Sequence, residues 1–221
     1  MRLEESEVIR AILDKYTPDL AINVAVNLGS GDVERLVKTK PWVDENVFLP
    51  LKSLGIEVIN VDACPFPGVD LIKDLSLHDG LDFVDKTIGP RLFILANVLE
   101  HIPRSSCDTL LNRIHSKMSK GDGLIITGPY DYPYHADPID TMYRPGPDDL
   151  AAFIPLDWTE KHLVVCGSYR DEFSRMSFPK KIRRLLKPLW IFQKPIKWLE
   201  NHRLFYLFKP YKISVVFGIK Q

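Results

Sequence analysis

Apolar and polar positions along this chain follow two different periods, and each change of period marks a predicted element. Between Glu4 and Tyr16 the apolar residues recur at helical spacing, which predicts a lead-in helix closed by Pro18. Short β-branched or continuously apolar runs, which are typical of buried strands, come next. They predict strands over residues 21–28, 56–62, 91–97 and 123–128, with two further strands over 161–166 and 212–220.

Helical stretches separate these strands. One covers residues 106–118, and Asp32 is well placed to cap another that begins near Val33. Alternating strands and helices predict an α/β fold: a Rossmann-like, doubly wound, mostly parallel seven-stranded sheet with helices on both faces. Ligands bind such sheets at the carboxyl ends of the strands, so the residues directly after each strand are the candidates for a functional site.

A glycine pair follows the first predicted strand in the sequence Gly29-Ser30-Gly31. Glycines there permit a tight turn and allow a ligand to approach the main chain closely. A dinucleotide site would need a third glycine where Glu34 stands, and a pyrophosphate would meet a carboxylate at that position. The pattern therefore favours a cofactor without a pyrophosphate.

A carboxylate, Asp62, ends the second predicted strand. At this place in such folds an acid accepts hydrogen bonds from the two hydroxyls of a ribose. It stands 31 residues after Gly31, whereas the compact form of the unit has about 20. We expect an insertion over residues 39–51, where Pro41 and Pro50 interrupt the helical pattern.

Four short motifs resemble those of the class I S-adenosylmethionine-dependent methyltransferases, in particular a small-molecule, type 11-like branch. They are Val-Asn-Leu-Gly-Ser-Gly at 26–31, Val-Asp at 61–62, Gly-Val-Asp-Leu-Ile-Lys-Asp-Leu at 68–75 and Asn-Val-Leu-Glu-His-Ile at 97–102. The likeness covers roughly residues 20 to 150. It implies a methyltransferase that uses S-adenosylmethionine, and it implies these cofactor-binding positions: Asn27, Gly29, Ser30, Gly31, Asp62, Ala63, Asp74, Leu75 and Asn97.

The resemblance also implies a role for each part of this set. The glycine turn would contact the methionine part, Asp62 the ribose and Asp74 the adenine amino group, while Asn97 would face the methionine and the acceptor. Asn27 is a departure, because many relatives carry an acid there. It keeps a carbonyl acceptor but lacks the charge that would bind the amino group of the methionine part.

Candidate catalytic residues are His101 and a long aromatic and acidic loop after the 123–128 strand. In that loop His135 is placed to act as a general base, with Asp137 positioning polar groups. Two structural interpretations stay open: His101 bonded only to its neighbours, and Asp140 paired with Arg144 as an ordering ion pair. No metal is predicted, because the His135-x-Asp137 pair has no further histidine or cysteine at ligand spacing nearby.

Composition bounds the class of protein. The 29 Lys and Arg balance the 29 Asp and Glu, so no global charge draws the chain to nucleic acid. Its three cysteines are widely spaced, which is typical of a reducing cytoplasm rather than a disulfide framework. Neither a signal peptide nor an apolar run of about 18 residues is apparent. We predict one domain over residues 1–221.

One segment concentrates positive charge and aromatic residues. It forms a basic aromatic insertion at about 179–210 in the predicted domain. Such a mixture suits contact with an anionic membrane surface, here between Lys180 and Lys212, and would place a cytoplasmic protein at the inner face of the membrane. A solvated insertion whose aromatics pack on the sheet is the alternative, and nucleic acid is not an expected partner.

The expected function is methyl transfer to a small-molecule or saccharide acceptor, because the resemblance includes proteins that accompany polysaccharide assembly. Two rival functions remain open at this point. One is an NAD(P)-dependent oxidoreductase, which would share Asp62 but lacks its third glycine. The other is a non-catalytic module that binds membrane or RNA through the basic aromatic segment.

Overall fold

The computed structural model of this protein describes residues 1–135, 139–186 and 203–221. The described residues form one sheet of seven strands, surrounded by helices. The strands are β1 (Val24–Leu28), β2 (Glu57–Asp62), β3 (Leu71–Ile72), β4 (Arg91–Ala96), β5 (Gly123–Asp131), β6 (Asp157–Ser168) and β7 (Pro210–Ile219). The helices are α1 (Leu3–Leu20), α2 (Val33–Thr39), α3 (Pro41–Val43), α4 (Leu49–Ser53), α5 (Arg104–Lys117), α6 (Pro147–Ala151), α7 (Tyr169–Ser174) and α8 (Phe178–Leu186).

The strand order is β3-β2-β1-β4-β5-β7-β6. Strands β1 to β5 run parallel, whereas β7 pairs antiparallel with both β5 and β6. The predicted mostly parallel seven-stranded sheet is therefore confirmed. Because β2, β1, β4 and β5 are neighbours, their carboxyl ends lie side by side at one edge of the sheet, about 5 Å apart from strand to strand.

Two hydrophobic cores cover the two faces of the sheet. Alternate residues of each strand point to opposite faces, so Phe93 and Leu95 of β4 join one core while Leu92 and Ile94 join the other. Helix α5 packs into the first core through Leu110, Leu111 and Ile114, among others. Helix α1 and the segment from α3 to α4 pack into the second. The prediction of helices on both faces is confirmed.

The predicted boundaries were wrong at the lead-in helix. Helix α1 passes through Pro18 and ends at Leu20, and Ala21 follows in the left-handed conformation with φ 48°. Burial explains the extension: Ile9, Ile12 and Leu13 anchor this helix in the core, and tertiary packing outweighs the loss of one hydrogen bond at proline. β1 consequently begins at Val24 instead of residue 21.

The expected insertion is helical rather than broken. Residues Asp44–Phe48 form a π-helical turn between α3 and α4, so one helical path connects all three. Pro41 stands in the first turn of this path, where no intrahelical N–H bond is needed, and Pro50 lies just after the π-helical turn. The extra residues between β1 and β2 thus provide apolar side chains that pack beside α1.

The later strands are longer than predicted, since β5 continues to Asp131 and β6 begins at Asp157. The predicted helix cap is confirmed: Asp32 Oδ1 accepts from the Arg35 N–H at 2.9 Å. Of the basic aromatic segment the structure describes α8 and residues 203–210, while residues 187–202 lie outside the described ranges. Within those ranges, no helix has both the length and the apolar character that crossing a membrane requires.

Candidate functional site

The glycine turn lies at the carboxyl end of β1, tied to the end of β2. The N–H groups of Gly29 and Ser30 both donate to Val61 O, at 2.8 and 3.0 Å. The Gly31 N–H donates to Asp62 Oδ2 at 2.8 Å. Both glycines have positive φ, 69° for Gly29 and 63° for Gly31, a region that other residues adopt only with strain. The main chain therefore favours glycine at both positions.

The two glycines differ in what surrounds them. A Cβ added at Gly29 would lie 2.6 Å from Val98 Cγ2, so the Val98 side chain already occupies the space that this Cβ would need. A Cβ at Gly31 would meet no atom within 4 Å. Both glycines were expected to present bare main chain to a ligand; at Gly29 the space that a side chain would take is filled by Val98. Gly31 retains the open approach.

The Asp62 carboxylate is held in place by main-chain donors. Oδ2 accepts from Gly31 N and Oδ1 accepts from Cys64 N at 2.9 Å. Each carboxylate oxygen has a second lone pair, and Asp62 is only partly buried. The side chain thus fixes the turn and keeps acceptor capacity for two further donors. Ala63, the next residue, is exposed beside it.

Asn27 is paired within the sheet. It is buried, and its Nδ2 donates to Oδ1 of Asn60, its neighbour across the strands, at 3.0 Å. Asn60 in turn donates to Asp70 Oδ2 at 3.2 Å. Because the Asn27 side chain makes this hydrogen bond, it helps to hold β1 and β2 together. Ser30 is also buried and lies within the turn itself.

Asp74 and Leu75 have opposite environments. Asp74 is exposed, and hydrogen bonds from the side chain and main chain of Ser76 lower the pKa of its carboxyl. Leu75 is buried in the first core, and its carbonyl accepts from the Arg113 guanidinium at 2.6 Å. Leu75 therefore anchors the loop after β3, and Asp74 presents an ionised acceptor at its surface.

Asn97 directly follows β4 with a positive φ of 56°. Its Nδ2 donates to Glu5 Oε1 at 2.7 Å, and Thr127 Oγ1 donates to the same oxygen at 2.6 Å. Glu5 belongs to α1 and is fully buried. A carboxylate from the lead-in helix thus reaches the carboxyl ends of β4 and β5, a contact between residues 92 positions apart that sequence spacing does not reveal.

A cavity of about 230 Å³ lies beside Asn97 at this edge. It brings together the N-terminal segment, the residues after β4 and the residues after β5. Its lining consists of Met1, Arg2, Glu5, Lys40, Asn97, Glu100, His101, Pro129, Tyr132, His135 and Ile213. The structure therefore places two predicted catalytic residues, His101 and His135, in one cavity with the predicted cofactor residue Asn97.

Glu100 is the least compensated group in this cavity. It is 1% exposed, and neither carboxylate oxygen has a hydrogen-bond partner among the described residues. Burial raises the pKa of this carboxyl to about 7. His101 Nε2 lies 3.9 Å from Glu100 Oε1. A buried carboxylate without donors is costly, so its retention at a cavity wall indicates a functional group.

His101 and His135 approach each other edge to face, with ring centroids 5.5 Å apart. His101 Nδ1 contacts the carbonyl oxygen of Ile139. His135 Nδ1 lies 3.1 Å from Asp140 Oδ2, although not in hydrogen-bond alignment. Burial lowers the pKa of His135, which favours a neutral ring at neutral pH.

Asp140 is the carboxylate that accompanies His135 in the described structure. It accepts from the His135 N–H at 2.9 Å and from both terminal nitrogens of Arg144, at 3.0 and 2.6 Å. The ordering ion pair between Asp140 and Arg144 is thus present. Asp137, the carboxylate predicted to act with His135, lies outside the described residues.

Sequence reasoning missed Glu5 and Arg2 as parts of this site. Arg2 donates to Tyr132 Oη at 2.6 Å and forms an ion pair with Glu172 at 2.7 Å, which fastens α1 over the cavity. Glu100 was predicted only as a member of the 97–102 motif. A buried position for glutamate in an otherwise apolar run, Val-Leu-Glu-His-Ile, was the one available signal for that residue.

Comparison with known proteins gives the fold. No family model matches the sequence, and no curated protein matches it either. Similar solved structures include a SAM-dependent methyltransferase from Archaeoglobus fulgidus, 16% identical, TM-score 0.50, covering 96% of this chain and 94% of that one. A putative methyltransferase from Thermobifida fusca is 14% identical with a TM-score of 0.54, covering 99% and 80%. A SAM-dependent methyltransferase from Anabaena variabilis is 10% identical with a TM-score of 0.50, covering 99% and 87%. This chain has the fold of the S-adenosylmethionine-dependent methyltransferases.

Proposed function

We propose that this protein is an S-adenosylmethionine-dependent methyltransferase that acts on a hydroxyl-bearing small molecule, such as a saccharide. The observation that carries the proposal is the open turn at Gly31, whose N–H is bonded to the Asp62 carboxylate at the carboxyl edge of the sheet. A glycine turn fixed to an acid one strand away forms a cradle for a nucleoside without a pyrophosphate. Glu34, where a dinucleotide site needs glycine, supports the same choice against NAD(P).

The chain's own residues divide the binding work along the sheet edge. We infer that Asp62 accepts the ribose hydroxyls through its spare lone pairs and that the exposed, ionised Asp74 accepts from the adenine amino group. Asn97 stands two strands from Asp62, a distance of about 10 Å, and faces the cavity. When bound, the cofactor would supply an electrophilic methyl group at its sulfonium. The acceptor would then lie in the cavity beside Asn97.

The acceptor's proton has a polar destination in this arrangement. Glu100, His101 and His135 all line the cavity, so a hydroxyl placed there lies near basic nitrogens and a carboxylate. The cavity of about 230 Å³ accommodates part of a small molecule. Polar groups from three chain segments suit an acceptor with several hydroxyls, which supports a saccharide among the small molecules.

Binding of S-adenosylhomocysteine tests the proposal through a matched pair of glycine variants. Gly31 and Gly55 both have positive φ, and a Cβ at either would meet no atom within 4 Å. Alanine at each therefore introduces the same backbone strain of about 1–2 kcal/mol. Only at Gly31 would the new methyl occupy the proposed cofactor space. We expect Gly31→Ala to weaken binding at least tenfold, about 1.4 kcal/mol, in isothermal titration calorimetry.

Gly55→Ala is the control and should bind with wild-type affinity. Thermal melting should show equal destabilisation of the two variants, which separates strain from steric exclusion. Absence of binding heat in the wild-type protein, or equal affinities for both variants, would contradict the proposal. Titration with NADH discriminates the oxidoreductase alternative, which predicts binding of NADH instead.

We further propose that α8 contacts an anionic membrane surface. Phe178, Ile182 and Leu185 are 74%, 41% and 50% exposed, and their spacing places them on one helical face. Four cations and no acid accompany them in the helix: Lys180, Lys181, Arg183 and Arg184. An exposed apolar face beside cations matches the pattern of helices that lie in the membrane interface.

Co-sedimentation with lipid vesicles tests this contact. We expect the protein to bind vesicles that contain phosphatidylserine, to release at high salt, and to lose most of this binding when Ile182 and Leu185 are both replaced by serine. Leu163→Ser is the control, because Leu163 is similarly exposed, at 42%, but belongs to β6 and not to α8. Binding that is unchanged in the double variant, or retention on RNA instead of vesicles, would contradict membrane contact.

A further inference from the structure

Three potential ligands of a metal ion converge in the cavity. Glu100, His101 and His135 each offer one atom, and these atoms all lie within 4.8 Å of one another. Glu100 and His101 come from a short 3-10 helix after β4, Leu99–His101, whereas His135 comes from the loop after β5. The fold therefore joins residues that lie 34 positions apart along the chain. The sequence predicted no metal because no further histidine or cysteine stands at ligand spacing near His135 along the chain.

The donor set suits a divalent transition metal. Two imidazoles and one carboxylate provide two nitrogen donors and one oxygen donor. Such a set binds zinc, cobalt, nickel and iron(II) in preference to magnesium and calcium. Glu100 provides an independent sign, since its carboxylate is 1% exposed and has no hydrogen-bond donor among the described residues. A cation would supply the direct partner that Glu100 lacks, since His101 and Arg144 stabilise its charge only from a distance.

The surrounding contacts orient His101 as a ligand and place a carboxylate beside His135. The Nδ1 atom of His101 faces the Ile139 carbonyl, which can only accept, so Nδ1 carries the proton and Nε2 presents its lone pair. His135 Nδ1 lies beside the Asp140 carboxylate at 3.1 Å. Oxygen acceptors behind imidazole ligands are typical of protein metal sites, where they fix the ring and increase its basicity.

The same contacts hold the two chain segments together. The Thr141 N–H and Oγ1 both donate to the Glu100 carbonyl oxygen, at 2.9 and 3.0 Å. Arg144 clamps Asp140 with two hydrogen bonds. The ligands thus sit on segments fixed to one another. In a tetrahedral site with bonds of about 2.1 Å, ligand atoms lie about 3.4 Å apart. The ligand atoms here lie up to 4.8 Å apart, so metal binding would draw them together by about 1 Å.

We propose that Glu100, His101 and His135 form a binding site for a divalent transition-metal ion at the wall of the acceptor cavity. Three protein ligands leave a coordination position open toward the cavity, as catalytic metal sites do. A hydroxyl oxygen of the acceptor is the ligand that fits this position, because coordination would orient that oxygen within the cavity. This last step, the acceptor, rests on the proposed function; the metal site itself does not.

Cobalt binding to the full chain, freed of any histidine tag and treated with a chelator, tests the site. We expect one equivalent of Co²⁺ per chain, with visible absorption bands of low-symmetry coordination. His101→Ala, His135→Ala and Glu100→Gln should each weaken binding at least tenfold, since even changes behind the ligands cost about 10–100-fold. Zn²⁺ should displace Co²⁺ and remove the bands.

A melting measurement and a control variant distinguish a metal ligand from a structural residue. Glu100→Gln should leave the melting temperature of the metal-free protein unchanged or higher, because a buried neutral amide costs less than an unpaired carboxylate. The matched control is His162→Ala with Glu160→Gln, which removes a histidine and glutamate pair 3.0 Å apart on the surface of β6. That control should bind Co²⁺ as the wild type does.

The results separate this proposal from the proposed function. Stoichiometric Co²⁺ binding that depends on the three residues supports the site, even if S-adenosylhomocysteine fails to bind. Wild-type protein without stoichiometric binding, or site variants that bind like the control, would overturn the metal site, and S-adenosylhomocysteine binding in the same samples would leave the methyltransferase proposal standing.

Discussion

Replacing Asp122 by asparagine should lower the free energy of unfolding by about 3–5 kcal/mol, the cost of breaking a buried ion pair from one side. The Asp122 side chain is fully buried and the Arg91 side chain is 6% exposed. Asp122 Oδ2 accepts from Arg91 Nε at 3.0 Å and lies 2.7 Å from its terminal NH2 group. Asparagine keeps the shape but leaves the guanidinium without its counter-charge.

Each carboxylate oxygen also accepts a main-chain hydrogen bond. Oδ1 accepts from Arg91 N at 2.8 Å and Oδ2 from Ser119 N at 2.7 Å. An amide NH₂ at either oxygen position would oppose one of these N–H donors. Arg91 itself reaches the carbonyls of Val84 and Lys117. The pair therefore joins the start of β4 to the end of α5, and its loss affects several elements together.

Urea unfolding at pH 7 measures this effect, and Asp108→Asn provides the control. Asp108 also pairs with an arginine, Arg104, at 2.9 Å, but both side chains are more than half exposed. An exposed i,i+4 pair contributes about 0.3–0.5 kcal/mol, so the control should stay close to the wild type. Equal losses in the two variants would show that burial does not strengthen the Asp122 pair. Ligand affinity should be unchanged, because Asp122 precedes β5 and lies at the edge opposite the site.

Local pattern predicted the sheet because its central strands are buried on both faces. β4 after Arg91 and the first residues of β5 are continuously apolar, and such runs indicate a strand in a parallel sheet. β3 consists of two residues, too few to show any period. The π-helical turn at Asp44–Phe48 was unpredictable for a related reason, since its stability depends on packing with α1 rather than on local propensity.

The candidate site also contains residues whose positions the sequence predicts and residues that only tertiary packing brings together. Gly31 lies in the turn after β1 and Asp62 is the last residue of β2, so their neighbourhood was predictable from the sheet alone. Glu5 reaches Asn97 through the docking of α1, and His101 meets His135 through the path of the loop after β5. No sequence period encodes such tertiary contacts. The reason for Gly29 was equally hidden, because the atom it avoids belongs to Val98, 69 positions along the chain.

Gly29→Ala should be nearly as destabilising as the loss of the buried ion pair, at about 2–5 kcal/mol. Two costs contribute. An L-residue at φ 69° carries left-handed strain of about 1–2 kcal/mol. The added Cβ would also meet Val98 Cγ2 at 2.6 Å and Cγ1 at 3.3 Å, and crowding of a packed site costs about 1–3 kcal/mol. Gly55→Ala, with strain and no neighbour, should lose only the first amount.

A double-mutant cycle with Val98→Ala isolates the crowding. Alanine at position 98 removes both γ-carbons and leaves Val98 Cβ, 3.6 Å from the new atom, as the nearest part of that side chain. In this background Gly29→Ala should cost no more than Gly55→Ala, so the coupling free energy should be about 1–3 kcal/mol. Urea unfolding of the four proteins gives this value. Additive losses would contradict a steric role for Val98.

The same four proteins decide whether a ligand needs the bare main chain at Gly29. Because Val98 already fills that space, S-adenosylhomocysteine should bind the double variant as tightly as it binds Val98→Ala alone. At Gly31 the space is open, and alanine there should weaken binding. Lost affinity in the double variant would mean that in the wild-type protein Val98 moves aside when the ligand binds, so that the ligand approaches both glycines. Close approach at Gly31 alone would instead assign the first glycine to packing and the second to the cofactor.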